Sequence, residues 1–292
     1  MLFPRVVLAA LALVVACNRP ARPSASQLAD DFGDSVRIGA SPERIVSLNP
    51  ATTEMLFAMG AGRRLVGRTH WDFYPDSARL VPDLGTGIRP NVEAVLGVKP
   101  DLVVLYASAD NRAAAQQFRK AGVNTVSLKI DLIRDFERAA HILGRVIGDS
   151  ARAATVADSV LRTLDSVRTA TRGLRRPTVF WHIWDAPLIT IGNGSYMNEL
   201  INIAGGRNIY GDVNAPSPPV SIEDVLKRNP DYIVTGPLGA AKIREDKRWS
   251  EAPAVKAGHL LVVDTAVVGR PAVRLGEAAV ALARALHPDA IR

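Results

Sequence analysis

The chain has 292 residues, length for two domains of ordinary size, and its 48% hydrophobic and 22% charged content excludes a disordered or fibrous chain. The formal charge of +7 is carried by arginines scattered along helical stretches with no basic block, so nucleic acid is not an expected partner. A basic surface of this kind suits contact with anionic lipid or an anionic ligand.

The first element in chain order is an export signal. Arg5 supplies a positive charge and Val6–Ala16 a short apolar run ending at Cys17, the only cysteine. That run is shorter than the roughly 20 residues a membrane-spanning helix needs. Val14-Val15-Ala16-Cys17 resembles the lipobox of bacterial lipoproteins. The resemblance implies a signal peptide over 1–17, cut before Cys17, with the Cys17 thiol carrying diacylglycerol. A lone cysteine leaves no internal disulfide, so the folded part must stand on packing alone. Residues 18–40, with Pro20, Pro23, Ser24 and Ser26, read as a flexible tether from the membrane.

From Arg44 onward, short apolar runs alternate with helical stretches. Strands are predicted at Arg44–Leu48, Leu65–Gly67, Asp101–Tyr106 and Thr125–Leu128. Helices are predicted at Thr52–Met59, stopped by Gly60 and Gly62, at Val92–Leu96, and at Arg112–Ala121, stopped by Gly122. The alternation predicts a first α/β lobe over 41–149 with a parallel sheet covered on both faces. Next, 150–174 spaces Val156, Val160, Leu164 and Val167 by three and four and reads as one long amphipathic helix. A second α/β lobe follows over 175–292. Its strands are predicted at Thr178–Ile183, Tyr232–Thr235 and Leu260–Asp264, and its helices at Met197–Ala204, Ile222–Lys227 and Val273–Leu286.

An internal repeat supports this division. Asn91-Val92-Glu93-Ala94-Val95-Leu96 leads to Lys99-Pro100-Asp101, and Ser221-Ile222-Glu223-Asp224-Val225-Leu226 leads to Asn229-Pro230-Asp231 with the same spacing. Glu54-Met55-Leu56 before Gly60 is echoed by Glu199-Leu200-Ile201 before Gly205. Two lobes with one helix between them leave a cleft.

In α/β lobes, ligands bind at loops beyond the carboxyl ends of strands. His70-Trp71-Asp72-Phe73-Tyr74, Tyr106 and Trp181-His182-Ile183-Trp184-Asp185 fall on such loops. Trp71 and Trp184 are the expected contacts, joined by Asn49, His70, Tyr74 and Tyr106; Phe180 and Trp181 alternate along a strand, so one of the two is expected to supply core packing. Flat rigid rings suit a corrin, a porphyrin or a catecholate chelate, and Arg89 and Arg270 could pair with a phosphate or carboxylate on it. Of the five histidines, at 70, 141, 182, 259 and 287, only His70 and His182 are placed to face the cleft, too few for a free zinc or manganese ion. A haem needs a single axial ligand, for which His70, His182, Tyr74 and Tyr106 qualify. Gly192-Asn193-Gly194-Ser195 completes neither a phosphate cradle nor a nucleophile elbow and reads as a turn, so no enzymatic activity is expected.

Arg44-Ile45-Val46-Ser47-Leu48-Asn49-Pro50 with Thr53-Glu54, Gly85-Thr86, the Asn91 and Ser221 repeat units and Gly205-Gly206-Arg207-Asn208-Ile209 occur in an order and spacing that resemble the substrate-binding proteins of cobalamin and iron-siderophore ABC importers, the BtuF and FhuD type. The resemblance runs from Arg44 to Pro288. It implies two Rossmann-like lobes joined by a single rigid helix, small lobe motion, and a monomer without a cofactor of its own. It implies a protein outside the cytoplasm, held to the membrane through Cys17, that captures a metal chelate and delivers it to an ABC permease and its ATPase. Glu93 and Glu223 match the positions that dock into the permease. Gly87 and Ser217 stand where cobalamin-binding relatives tend to place tryptophans, and Trp71 where they have a tyrosine. Cobalamin is therefore ranked first, with a ferric siderophore or haem behind it.

Overall fold

Runs such as Ile45-Val46-Ser47-Leu48 are buried at every position, the pattern of a parallel strand covered by helices on both faces. The computed structural model describes residues 28–291; the export signal, Cys17 and the first part of the tether lie outside the described residues. An antiparallel pair, β1 (Leu28–Ala29) and β2 (Ser35–Val36), precedes the first lobe. That lobe runs β3 (Ile45–Leu48), α1 (Pro50–Ala58), β4 (Leu65–Gly67), α2 (Val92–Gly97), β5 (Leu102–Tyr106), α3 (Arg112–Lys120) and β6 (Asn124–Leu128). Its sheet is parallel with order β4-β3-β5-β6.

Two helices follow, α4 (Ile133–Ile147) and α5 (Ser150–Ala170). The second lobe runs β7 (Thr178–Trp181), β8 (Trp184–Asp185), β9 (Leu188–Ile189), α6 (Tyr196–Ile203), β10 (Arg207–Asn208), α7 (Ile222–Arg228), β11 (Tyr232–Thr235), α8 (Pro237–Glu245), α9 (Pro253–Lys256), β12 (Leu260–Val262), α10 (Thr265–Val268) and α11 (Leu275–Leu286). Its parallel sheet has the order β10-β7-β11-β12, and β8 and β9 form a separate hairpin. The fold is thus α/β with two lobes of the same type.

The sequence repeat is also a structural repeat. Asn91 caps α2 through its side chain, and Ser221 caps α7 in the same way. Lys99 and Asn229 then take left-handed backbone angles, φ 49° and 45°, just before Pro100 and Pro230, where a following proline already disfavours the right-handed helical region. The next residue pins the first strand of its lobe. Asp101 accepts from the amides of Glu43 and Arg44 at 2.8 and 3.0 Å, and Asp231 accepts from the Thr178 amide at 2.7 Å.

The connection between lobes is thicker than the single rod expected from sequence. Asp149 caps α5, which spans 21 residues and ends at Ala170 rather than Leu174 because the chain turns at Gly173, φ 83°. Helix α4 packs along one side of α5 and α11 along another. Two glycines allow the close approach: a Cβ on Gly144 would lie 2.3 Å from that of Ala153, and one on Gly276 would lie 2.8 Å from the Thr163 side chain. One apolar cluster runs from Ile45, Leu56 and Val104 through Ala157 and Leu164 to Val179, Leu200 and Leu282, so both lobes share a core with α5.

The reading of 18–40 as a free tether is corrected for its described part. Residues 28–37 are fastened to the first lobe. Asp30, 5% exposed, accepts from the Phe32, Asp34 and Ser127 amides at 3.0 Å and from Arg119. Asp31 is held by Arg138 at 2.7 Å and by the Lys129 amide at 2.6 Å, and Arg37 donates to the Gly122 carbonyl at 2.6 Å. One buried and one exposed aspartate among polar residues carry no apolar signal, which is why the segment resembled a linker.

Candidate functional site

Parallel strands bring their carboxyl-end loops, and the N-termini of the helices that follow, to one edge of each sheet. In both lobes the first helix starts at that edge. Asn49 caps α1 by accepting from the Ala51 amide at 3.0 Å, and Ser195 caps α6 by accepting from the Met197 amide at 3.2 Å. Between the lobes lie two adjoining cavities that share Ile130 and Gly269. The larger, about 360 Å³, is lined by Asn49, Pro50, Ala51, Trp71, Tyr106, Ile130, Gly269, Arg270 and Pro271. The smaller, about 210 Å³, is lined by residues that include Asp131, Ile183, Ile191, Ser195, Tyr196, Met197 and Ser217.

Four of the sequence-predicted ligand residues, Asn49, Trp71, Tyr106 and Arg270, therefore meet at one cavity. Trp71 is 56% exposed, an indole left facing the gap. Tyr106 ends β5 and donates its hydroxyl to Asp131 Oδ1 at 2.5 Å; burial and the neighbouring carboxylate raise its pKa, so the phenol keeps its proton. His70 packs against Trp71 with ring centroids 4.7 Å apart, and Tyr74 lies over the Arg274 guanidinium at 4.0 Å, so both flank the gap without lining either cavity.

Arg89 and Trp184 are not brought there. Arg89 points at Asp110, to which it donates at 2.6 and 2.8 Å. Side chains alternate across the strand that follows β7. His182 is buried, Ile183 enters the smaller cavity, and Trp184 faces Lys242, whose Nζ lies 5.8 Å from its ring. His182 is also unavailable as an axial ligand. Its Nδ1 is 3.0 Å from Thr235 Oγ1 and its Nε2 3.0 Å from Asp185 Oδ1, and burial lowers its pKa and favours the neutral ring.

Sequence reasoning missed the polar floor of the cleft. Glu54 on α1, 2% exposed, accepts from Arg274 of the second lobe at 2.8 and 3.3 Å, with Arg270 Nη1 3.6 Å away. Burial raises the Glu54 pKa against the pull of both arginines. Its repeat partner Glu199 reaches the other way, accepting from the Ile133 amide of the first lobe at 2.7 Å, and the Tyr196 amide donates to the Asp131 carbonyl at 2.8 Å. The echo of Glu54-Met55-Leu56 in Glu199-Leu200-Ile201 was the available signal. Asp72, 1% exposed, is held by the Thr53 and Thr69 hydroxyls at 2.5 and 2.6 Å and fixes the loop that carries Trp71.

Gly87 has no room for a larger side chain, since a Cβ would sit 2.2 Å from the Leu48 carbonyl oxygen; Ser217 lines the smaller cavity. A Cβ on Gly192 would likewise lie 2.2 Å from the Ala215 carbonyl oxygen, which makes 192–195 a packed turn before α6. Glu93 and Glu223 occupy matching first-turn positions on α2 and α7, both exposed and without an ion-pair partner among the described residues. Among the described residues no group of three His, Cys, Asp or Glu side chains could hold a metal ion, and no helix is long and apolar enough to cross a membrane. A hollow of about 930 Å³ lined by Pro100, Asp101 and Asn124 lies at the amino ends of β5 and β6, away from the aromatic loops.

The model of the periplasmic binding protein family matches residues 45–267. An uncharacterized ABC transporter substrate-binding lipoprotein of Bacillus subtilis, YvrC, is 28% identical over 305 aligned positions, covering 98% of this chain and 96% of the relative. A cobalamin-binding protein of Halobacterium salinarum is 31% identical over 294, covering 94% and 76%. The solved periplasmic heme-binding protein RhuT of Roseiflexus sp. RS-1 superposes with a TM-score of 0.77 at 24% identity over 87% of this chain and 100% of that one, a likeness of fold. The chain belongs to the periplasmic binding protein family.

Proposed function

We propose that this chain captures cobalamin in the gap between its lobes and hands it to the membrane permease of an ABC importer. The observation that carries the reading is the larger interlobe cavity, where Trp71, Tyr106, Ile130 and the proline and glycine backbone of both lobes present flat and apolar surface with few polar groups. A rigid macrocycle gains contact area there at small entropic cost. The cobalamin-binding relative, 31% identical along most of the chain, supports the same ligand. Calorimetric titration of the purified mature protein with cobalamin, haem and several ferric siderophores tests it: one-to-one binding strongest for cobalamin is expected, and indifference to cobalamin beside tight binding of another chelate would reassign the site.

Haem is the second reading, favoured by one feature. The His70 ring makes no hydrogen bond among the described residues and lies beside Trp71 at the edge of the gap, where an imidazole could reach a ligand metal. A Soret shift on adding haem that disappears in His70→Ala would favour it.

Docking through Glu93 and Glu223 belongs to the same proposal. Two exposed carboxylates, one per lobe and neither in an ion pair among the described residues, suit charge-assisted pairing with permease arginines. Glu93→Arg combined with Glu223→Arg should leave chelate affinity within about twofold and abolish uptake in cells; uptake at the wild-type rate would refute the docking role. The Cys17 lipid anchor completes the proposal, and labelled palmitate should appear on the wild-type protein and not on Cys17→Ser.

A further inference from the structure

Outside the cleft, on the flank of the second lobe beside its edge strand β10, three arginines line a hollow of about 510 Å³: Arg176, Arg207 and Arg228. Among the described residues it shares no lining with the interlobe cavities. The fold brings the three together, because Arg176 lies just before β7, Arg207 opens β10 opposite Thr178 of β7, and Arg228 ends α7. Asn198 and Asn202, one turn apart on α6, form the facing wall.

The acceptors of this hollow are spent and its donors are not. Arg176 donates through Nε and Nη2 to the Gly206 carbonyl at 3.1 and 2.6 Å and through Nη2 to Asn202 Oδ1 at 2.7 Å. Asn198 Oδ1 accepts from the Asn208 side chain at 3.1 Å. Asp212, the one carboxylate among the described lining residues, is paired with Arg228 Nη1 at 3.0 Å, while Arg228 Nε turns to Asp224. Left without a partner among the described residues are Arg176 Nη1, Arg228 Nη2, Asn198 Nδ2 and the whole exposed guanidinium of Arg207. Three cations against one engaged carboxylate, with donors to spare, select an oxyanion, and the planar fork of a guanidinium matches phosphate. Through Arg176 and Asn202 the hollow continues into a second one of about 590 Å³, where Ile133 and Leu161 are half-buried and Ile203 is buried. An apolar wall beside the arginines suits a phosphate that is joined to an organic body.

We infer that Arg176, Arg207 and Arg228 form a second ligand site, separate from the cleft, for an organic phosphate: the phosphate sits on the arginines and its organic part lies against Ile133, Leu161 and Ile203. A phospholipid headgroup and a soluble phosphate ester present this same chemistry. The site is independent of what the cleft binds, since the two are built from different residues.

Calorimetry on the full mature protein tests it with three probes: inorganic phosphate, glycerol 3-phosphate and monomeric dihexanoyl phosphatidylglycerol. At least one of the two organic probes should bind one-to-one and more tightly than inorganic phosphate. Preference for the lipid would identify a headgroup site, and preference for glycerol 3-phosphate a soluble ester. Arg207→Gln removes a side chain with no internal partner, so the fold should survive, the preferred probe should weaken by about tenfold, and chelate binding in the cleft should not change. Arg63→Gln, which removes the same charge from an exposed position on the first lobe, should leave the probe's affinity within about twofold. Binding of none of the probes, or equal binding of all three, would overturn the inference. So would equal losses in the Arg207 and Arg63 variants, which would reduce the effect to the protein's overall charge. A cleft that captured no chelate would leave every one of these expectations as it stands.

Discussion

Glu54 is a buried carboxylate that ties α1 of one lobe to Arg274 of the other, so its removal tests whether the lobes depend on each other. Glu54→Ala would leave Arg274 buried without its counter-charge, at a cost of about 3 kcal/mol, and chemical denaturation should show both lobes unfolding earlier together. Acid should not act through this pair. Burial holds the folded carboxyl above its ordinary 4.5, so the native state takes up the proton first, and the pair's contribution to stability declines only as pH rises through that window. His182 has the opposite sense. Burial holds its folded pKa below 6.5, so the unfolded chain binds the proton first and stability falls as pH drops below about 6.5. Urea unfolding at pH 7.5 and 5.5 should show this loss in the wild type and a smaller one in His182→Asn; identical losses would remove His182 as the cause.

Among the elements, the clasp β1–β2 depends on one side chain, because Asp30 satisfies three amides and Arg119 together. Asp30→Ala should cost about 2 kcal/mol and speed amide exchange over 28–37 and 124–129, and unchanged exchange there would show that the clasp is held by other contacts. Apart from β10, the parallel strands were legible because each is a short apolar run bounded by turn signals. Less legible was α4, although Phe136, Ala140, Leu143 and Ile147 follow a helical spacing, because Gly144 interrupts the run at the very place where α4 touches α5. Strand β10 is only Arg207–Asn208, a polar pair that no apolar pattern could reveal. At the site, Trp71 was legible from its place after a strand. Trp184 misled for a reason of one residue, since the chain's alternation sends Ile183 into the gap instead.

For the whole molecule, the shared core matters most. Apolar side chains run without a break from the first sheet through α5 to α11, and Glu54, Glu199 and the Tyr196 amide each cross between lobes. Opening the cleft widely would expose that core, so ligand uptake should proceed by small tilts and side-chain exchange. Solution scattering with and without ligand should give radii of gyration within about 1 Å, and a larger compaction would show hinge closure instead. The cleft itself follows from placing two copies of one lobe with their carboxyl-end loops facing each other. The most direct measurement of this claim uses the four tryptophans, of which Trp71 and Trp184 are exposed while Trp181 and Trp249 are buried. Cobalamin added to the purified protein should quench tryptophan emission saturably at one equivalent, with much of the quenched fraction lost in Trp71→Phe and retained in Trp184→Phe. Quenching that never saturates, or that is indifferent to Trp71, would contradict capture between the lobes.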